Sequence, residues 1–343
     1  MNAGRVTALA ALTATSLLLV ACNAGPNPEV PDLGNAVAEV SPPSTSPAGE
    51  VLELPAAWAE ISDMEAAGDI LGLRSATTLA IGTLGQLRAG DATEVEIPAN
   101  CGDLNASADT FILACRDQVL LVDAATGDVE KRSLAGTDAD PADSAVLTST
   151  GELIVGSAEG SKVLVFGQDS DEPVENITVA GQTSQLLAVP VEGADDSVVR
   201  SSYVNTTIQD VHWRDGKQGG TLRVGLGIGQ MAVGGNGVVL ASDNRGGQIA
   251  VYTATDVVRL HQTTPVAGSP WAVAWDGERD LAWVSTTADN TLHGFDLSTG
   301  VPEEKVTLDT VADVHNVIAL DDGTLVLASA TGEGLQIITD VSS

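Results

Sequence analysis

Four histidines, three cysteines and scattered carboxylates carry most of the chemical potential of this chain, and their spacing limits what they can do. His212, His261, His293 and His315 stand far apart, with no HxH or HExxH pair and no cysteine partner, so no metal site is expected. Asp243-Asn244 and Asp289-Asn290 read as turn formers, not calcium ligands. No GxSxG elbow is present, and the Gly225–Gly229 stretch (GLGIG) lacks the strand-loop-helix context of a dinucleotide loop, so no cofactor is expected either. What remains is a pair of equivalent positions. Trp271 and His315 each stand 10 residues before the strongest apolar strand of their own unit, at Leu281 and Leu325. Together with Asn316 and Gln230 they could wall a small polar and aromatic ligand site. The bland alternative is that Trp271 plugs a channel and His315 is a satisfied loop histidine. A hydrolytic centre would instead need a cation and carboxylates converging with a histidine, and only His315, Asp313 and Arg245 are candidates.

The cysteines divide into two classes. Cys101 and Cys115 are separated by 14 residues, and the text between them (GDLNASADTFILA) reads as strand, turn, strand. An antiparallel pair could set the two side chains face to face, so a structural disulfide is expected. Cys22 closes a different pattern. Arg5 precedes an apolar run, Val6 to Val20, too short for a comfortable membrane span and shaped like a signal-peptide core. That run ends Leu19-Val20-Ala21-Cys22, which resembles the bacterial lipobox. By that resemblance residues 1–21 are a lipoprotein signal peptide, and Cys22 becomes the lipidated first residue.

Residues 22–50 hold six prolines among Ser, Asn, Gly and acidic residues and read as a disordered tether, spanning about 30 to 80 Å between its coiled and extended limits. Residues 51–343 then repeat one grammar of alternating strands and Gly- or Asp-rich turns. It is plainest in Trp275 to Gly300 (WDGERDLAWVSTTADNTLHGFDLSTG). Taking the strongest apolar strand of each unit as a ruler, the units begin near Leu79, Phe111, Leu153, Val198, Val238, Leu281 and Leu325. The steps are 32, 42, 45, 40, 43 and 44 residues; all but the first match a four-stranded propeller blade.

The expected fold is therefore all-β: a seven-bladed β-propeller. In the sixth blade the strands are placed at Trp271–Asp276, Leu281–Ser285, Thr291–Asp296 and Pro302–Leu308. The last unit offers only three strands, ending at Ile338–Val341, so Val51-Leu52-Glu53-Leu54 is expected to complete it and close the ring. The first blade, roughly Trp58 to Pro98, has an uncertain register.

Charge narrows the partners. With 47 acidic against 15 basic residues the net charge is −32, which repels phosphate backbones and excludes nucleic-acid binding. With so few aromatics, the core must be built from Val, Leu, Ile and Ala.

The blade text resembles bacterial YVTN-type propeller repeats, and the chain as a whole resembles the actinobacterial LppL-type lipoproteins. The likeness rests on Gly151–Ala158 (GELIVGSA), Ala241–Gln248 (ASDNRGGQ) and Leu281–Lys305, and it is weak in the first blade and around 190 to 220. It implies an extracytoplasmic propeller held by a lipid on the outer face of the cell membrane, and it transfers no catalytic residue; a monomer is expected. Three functions follow as expectations. A non-enzymatic scaffold binding an envelope protein or glycan is preferred; a propeller lactonase or hydrolase with its site at the channel mouth is the alternative; a solute-binding accessory for import is weaker, because no two-lobed pattern exists.

Overall fold

Strands that are apolar on both faces need cover on both sides, and this chain supplies it by stacking sheets around a ring. A computed structural model describes residues 33–168 and 170–341. These residues form seven four-stranded antiparallel sheets, each one blade. The innermost strands are Asp63–Ala67, Leu104–Ser107, Ser144–Leu147, Gln185–Val189, Ile228–Val233, Pro270–Asp276 and Val314–Ala319. Successive innermost strands pack side by side, the seventh against the first, so the ring is closed. Second strands such as Leu281–Thr286 are buried along their whole length, whereas outer strands such as Glu303–Asp309 alternate between exposed and half-buried. The core is a set of inter-blade layers of Val, Leu, Ile and Ala, with Trp58, Trp283, Tyr252 and Phe111 as the large buried aromatics.

Ring closure follows the expectation, with a small shift. Glu50–Leu52 pairs antiparallel with Leu335–Ile338, matching Val51 to Gln336. The seventh blade's third strand is therefore Leu335–Ile338 rather than Ile338–Val341, and Leu54 turns instead to pack against the first blade. In the sixth blade the observed strands, Pro270–Asp276, Leu281–Thr286, Thr291–Asp296 and Glu303–Asp309, lie within one residue of those expected.

The anomalous first step has a physical cause. The second strand of the first blade is Ile70–Arg74, and Leu79 belongs to the third, Thr78–Thr83. Ile70–Arg74 looks weak because Gly72 interrupts it. A Cβ on Gly72 would sit 2.8 Å from the ring of Phe111, so glycine there admits the neighbouring blade's aromatic side chain. The blade also carries a short helix, Leu84–Ala89, opened by a Thr83–Gln86 capping box that was not anticipated.

Hydrogen bonds latch blade to blade. Asp63 Oδ2 accepts the Leu104 N–H, Ser144 Oγ donates to Asp103 Oδ2 and accepts from Leu186 N–H, and Gln185 Oε1 accepts the Met231 N–H. Ser242 Oγ donates to Trp271 O, Ser285 Oγ to Val314 O, and Ile61 N–H to Ser329 O. The hydroxyls of Ser242 and Ser285, near the ends of their blades' second strands, thus act structurally. Cys101 and Cys115 are disulfide-bonded across the first hairpin of the second blade, as expected.

The tether requires a correction. Its reading as disordered to residue 50 fails for residues 33–49, which lie as a strap across the face where blade-to-blade loops meet. Gly34 N–H donates to Leu226 O, Asn35 N–H to Tyr203 O, Ser44 Oγ to Thr310 O, and Ala48 N–H to Asp309 O. Gly34 approaches so closely that a Cβ would fall 2.1 Å from Val204 O. Polar, proline-rich text cannot fold alone, but here its backbone groups are satisfied by an already folded surface. The signal-peptide segment and Cys22 lie outside the described residues.

Candidate functional site at the channel mouth

Each innermost strand begins at the strap-bearing face and runs toward the first hairpin of its blade, so side chains near the strand starts form a ring around one end of the channel. That ring comprises Asp63, Asp103, Ser144, Gln185, Gln230, Trp271 and His315, each at or within two residues of a strand start. Asp63, Asp103, Gln185, Gln230 and His315 of this ring line a cavity of about 460 Å³ together with Glu65, Asn105, Asn316 and apolar residues, and it reaches Gly68, Pro190 and Asp321 at the hairpin end.

The four expected residues do come together. Trp271 and His315 have ring centroids 5.6 Å apart, tilted by 45°. Gln230 accepts a hydrogen bond from Gln185 Nε2. Asn316 is buried, only 8% exposed, and its Nδ2 has no hydrogen-bond partner among the described residues; the same holds for the buried Nε1 of Trp271. Burial lowers the pKa of His315, partly offset by the nearby charge of Asp313.

The rest of the site is acidic. Burial first, then the charges of Asp63 and Asp103, pushes the Glu65 carboxyl well above the usual carboxylate range. Asp103 is raised by burial and by Asp63, and Asp63 by burial, with Arg74 pulling both back only in part. These side chains are half-buried because the channel admits solvent, yet protein surrounds them on every other side. Tyr203, from the turn after Ser197–Ser202, has its pKa raised by burial first and then by the charges of Asp103 and Asp63.

Other residues in the loops that lead into innermost strands, and the charged candidates Asp313 and Arg245, are elsewhere. Asn100 and Asp140-Pro141 line a separate rim cavity with Arg116 and Asp117. Gln182 and Thr183 receive the buried guanidinium of Arg200, whose pKa burial lowers to about 10. Asp313 and Arg245 are engaged by the strap: Asp313 Oδ1 accepts the Ser41 N–H at 2.8 Å, and Arg245 Nη1 donates to Gly34 O at 3.0 Å. Asp63, Glu65, Asp103 and Gln185 escaped the sequence because counting back 10 residues from the second strand overshoots the short hairpins of the first and second blades and falls short of Gln185 in the longer hairpin of the fourth. The signal available was their place at the start of an alternating run. Among the described residues no three His, Cys, Asp or Glu side chains are grouped to hold a metal ion.

No family model matches this chain, and no curated protein matches it. Solved structures do. A chain of the structure titled "Crystal Structure of Mitotic Checkpoint Complex" superposes with a TM-score of 0.69 at 12% identity, covering 90% of this chain and 99% of that one. The WD40 β-propeller domain of Doa1 gives 0.60 at 13% identity, covering 87% of this chain and 95% of its own. The streptogramin B lyase structure gives 0.65 at 13%, covering 84% and 96%. At such identities the likeness is one of fold.

Proposed function

We propose that this chain is a non-enzymatic binding propeller of the cell envelope, held on the outer face of the cytoplasmic membrane by a lipid on Cys22 and presenting its loops and channel to an envelope protein or glycan. The resemblance to LppL-type lipoproteins and the lipobox-like Leu19–Cys22 support the anchor. Only 11 residues separate Cys22 from the strap at Leu33, at most about 40 Å of extended chain, so the spacer is shorter than its composition suggested. Two of the solved structures it resembles, the mitotic checkpoint complex chain and the Doa1 domain, are titled as part of a complex and as a WD40 propeller, in keeping with protein binding.

One observation carries the preference for binding over catalysis. Asp313 and Arg245, the charged partners that a hydrolytic His315 would need, spend hydrogen bonds on Ser41 and Gly34 of the same chain. His315 instead lies against Trp271. The likeness to streptogramin B lyase keeps a lyase or hydrolase as the second possibility. Assaying the parent and a strap-loosened Ser41→Ala variant against lactones and cyclic esters decides between them. No turnover above buffer is expected from either, and turnover abolished by His315→Ala would make the chain an enzyme. Membrane fractionation of a Cys22→Ala variant tests the anchor: release into the medium is expected, and retention in the membrane would refute lipidation there.

A further inference from the structure

The channel contains more unmet polar demand than a plugged pore requires. Asp63, Glu65 and Asp103 bring three carboxyl groups to one cavity, where the nearest cation, Arg74, turns its Nη2 to Cys101 O. Asp63 and Asp103 are stitched to backbone and hydroxyl donors, but Glu65 has only its own strand's backbone nearby. Asn316 lines the same cavity from the seventh blade, and its Nδ2 is buried without a partner among the described residues. A buried donor left unmade costs free energy, and Asn316 lines the cavity, so this donor points to an acceptor that arrives with a ligand.

An inorganic ion fits poorly, because no three of these groups converge tightly enough to coordinate one. A larger cation that carries its own hydrogen-bond acceptors fits both demands. The cavity, about 460 Å³, lies within the range of small-molecule sites, roughly 300–1,000 Å³. The chain's net charge of −32 draws cations toward it. Trp275, which lines the cavity near the end of its innermost strand, adds aromatic surface of the kind that favours a passing ammonium group.

We propose that the central channel binds a small hydroxylated ammonium compound, an amino sugar or amino alcohol, with its ammonium group on the Asp63, Glu65 and Asp103 cluster and a hydroxyl oxygen on Asn316 Nδ2. This rests on the channel being a binding site at all, and it adds the ligand's chemistry. Entry is from the hairpin end, where the lining reaches Gly68 and Asp321, opposite the strap.

Calorimetric titration of the full chain with glucosamine, glucose and calcium chloride tests it. Glucosamine is expected to bind roughly tenfold or more tightly than glucose, the difference of one charge-assisted hydrogen bond. Glu65→Gln and Asp103→Asn, with folding confirmed by circular dichroism, should erase that preference, and Asn316→Ala should weaken binding of glucosamine without erasing it. Equal binding of glucose, unchanged glucosamine binding in Glu65→Gln, displacement of glucosamine by calcium, or no heat with glucosamine in the folded parent would each overturn the proposal. Failure of glucosamine while partner capture still depends on Trp271 and His315 would remove the ligand class and leave the channel mouth as a binding surface.

Discussion

Ser41 and Asp313 hold each other by two reciprocal hydrogen bonds: the Ser41 N–H donates to Asp313 Oδ1 and the Asp313 N–H donates to Ser41 Oγ, both at 2.8 Å. The Ser41 hydroxyl in turn donates a hydrogen bond to Thr287 O. A residue from the proline-rich segment thereby fastens the loops of the sixth and seventh blades together. Around this point Asn290 Nδ2 donates to Pro42 O, and Gln336 Nε2 to Ala48 O.

Ser41→Ala removes one donor and one acceptor from this knot and leaves the buried Asp313 N–H unmatched. A loss of about 1–2 kcal/mol in folding stability is expected, together with faster amide hydrogen exchange across residues 34–48. Urea denaturation and exchange mass spectrometry measure the two effects.

Ring closure depends on fewer residues than the strap does. A chain beginning at Gly49 retains Glu50–Leu52 and should stay folded, with a modest loss in stability. One beginning at Pro55 leaves Leu335–Ile338 as an open edge, and an open edge pairs with other chains. Size-exclusion chromatography should show association for the second truncation only.

The disulfide joins Cys101 and Cys115, 14 positions apart in the sequence. Cys101→Ala with Cys115→Ala is expected to lose about 2–3 kcal/mol, and reductant should lower the parent's denaturation midpoint while leaving the double variant's unchanged.

Acidity at the channel gives a signed pH dependence. Glu65 has a folded pKa raised above its unfolded value, so its contribution to stability is complete below the ordinary glutamate pKa and is lost as pH rises through the folded one. Asp63 and Asp103 act in the same direction, and the lowered pKa of His315 opposes them as pH falls. Comparing Glu65→Gln with the parent isolates the first effect. The variant should be more stable than the parent at pH 7, by about 1 kcal/mol or more, with the gap closing toward pH 4.

Much of this architecture was legible in the residues. Leu281–Thr286 and its neighbours declare a blade because a strand buried on both faces must be apolar throughout, and the Asp123 to Gly127 turn declares itself by the Asp123 Oδ1 that accepts both Ala125 and Thr126 N–H. Trp271 and His315 were found because their two blades have equal spacing. Glu65 and Asp103 were not, since their meaning comes from facing one another across blades, which no local pattern records. The strap was hidden for a related reason: Ser41 and Asn35 look like spacer residues, and only the Asp313 and Tyr203 atoms more than a hundred residues away give them partners.

The most direct test of the channel mouth as a working surface is affinity capture from cells with the acylated parent beside a Trp271→Ala, His315→Ala double variant, both confirmed folded. A partner or small molecule retained by the parent and lost by the variant is the expected result. Identical capture by both proteins would place the functional surface elsewhere and return Trp271 and His315 to a structural role.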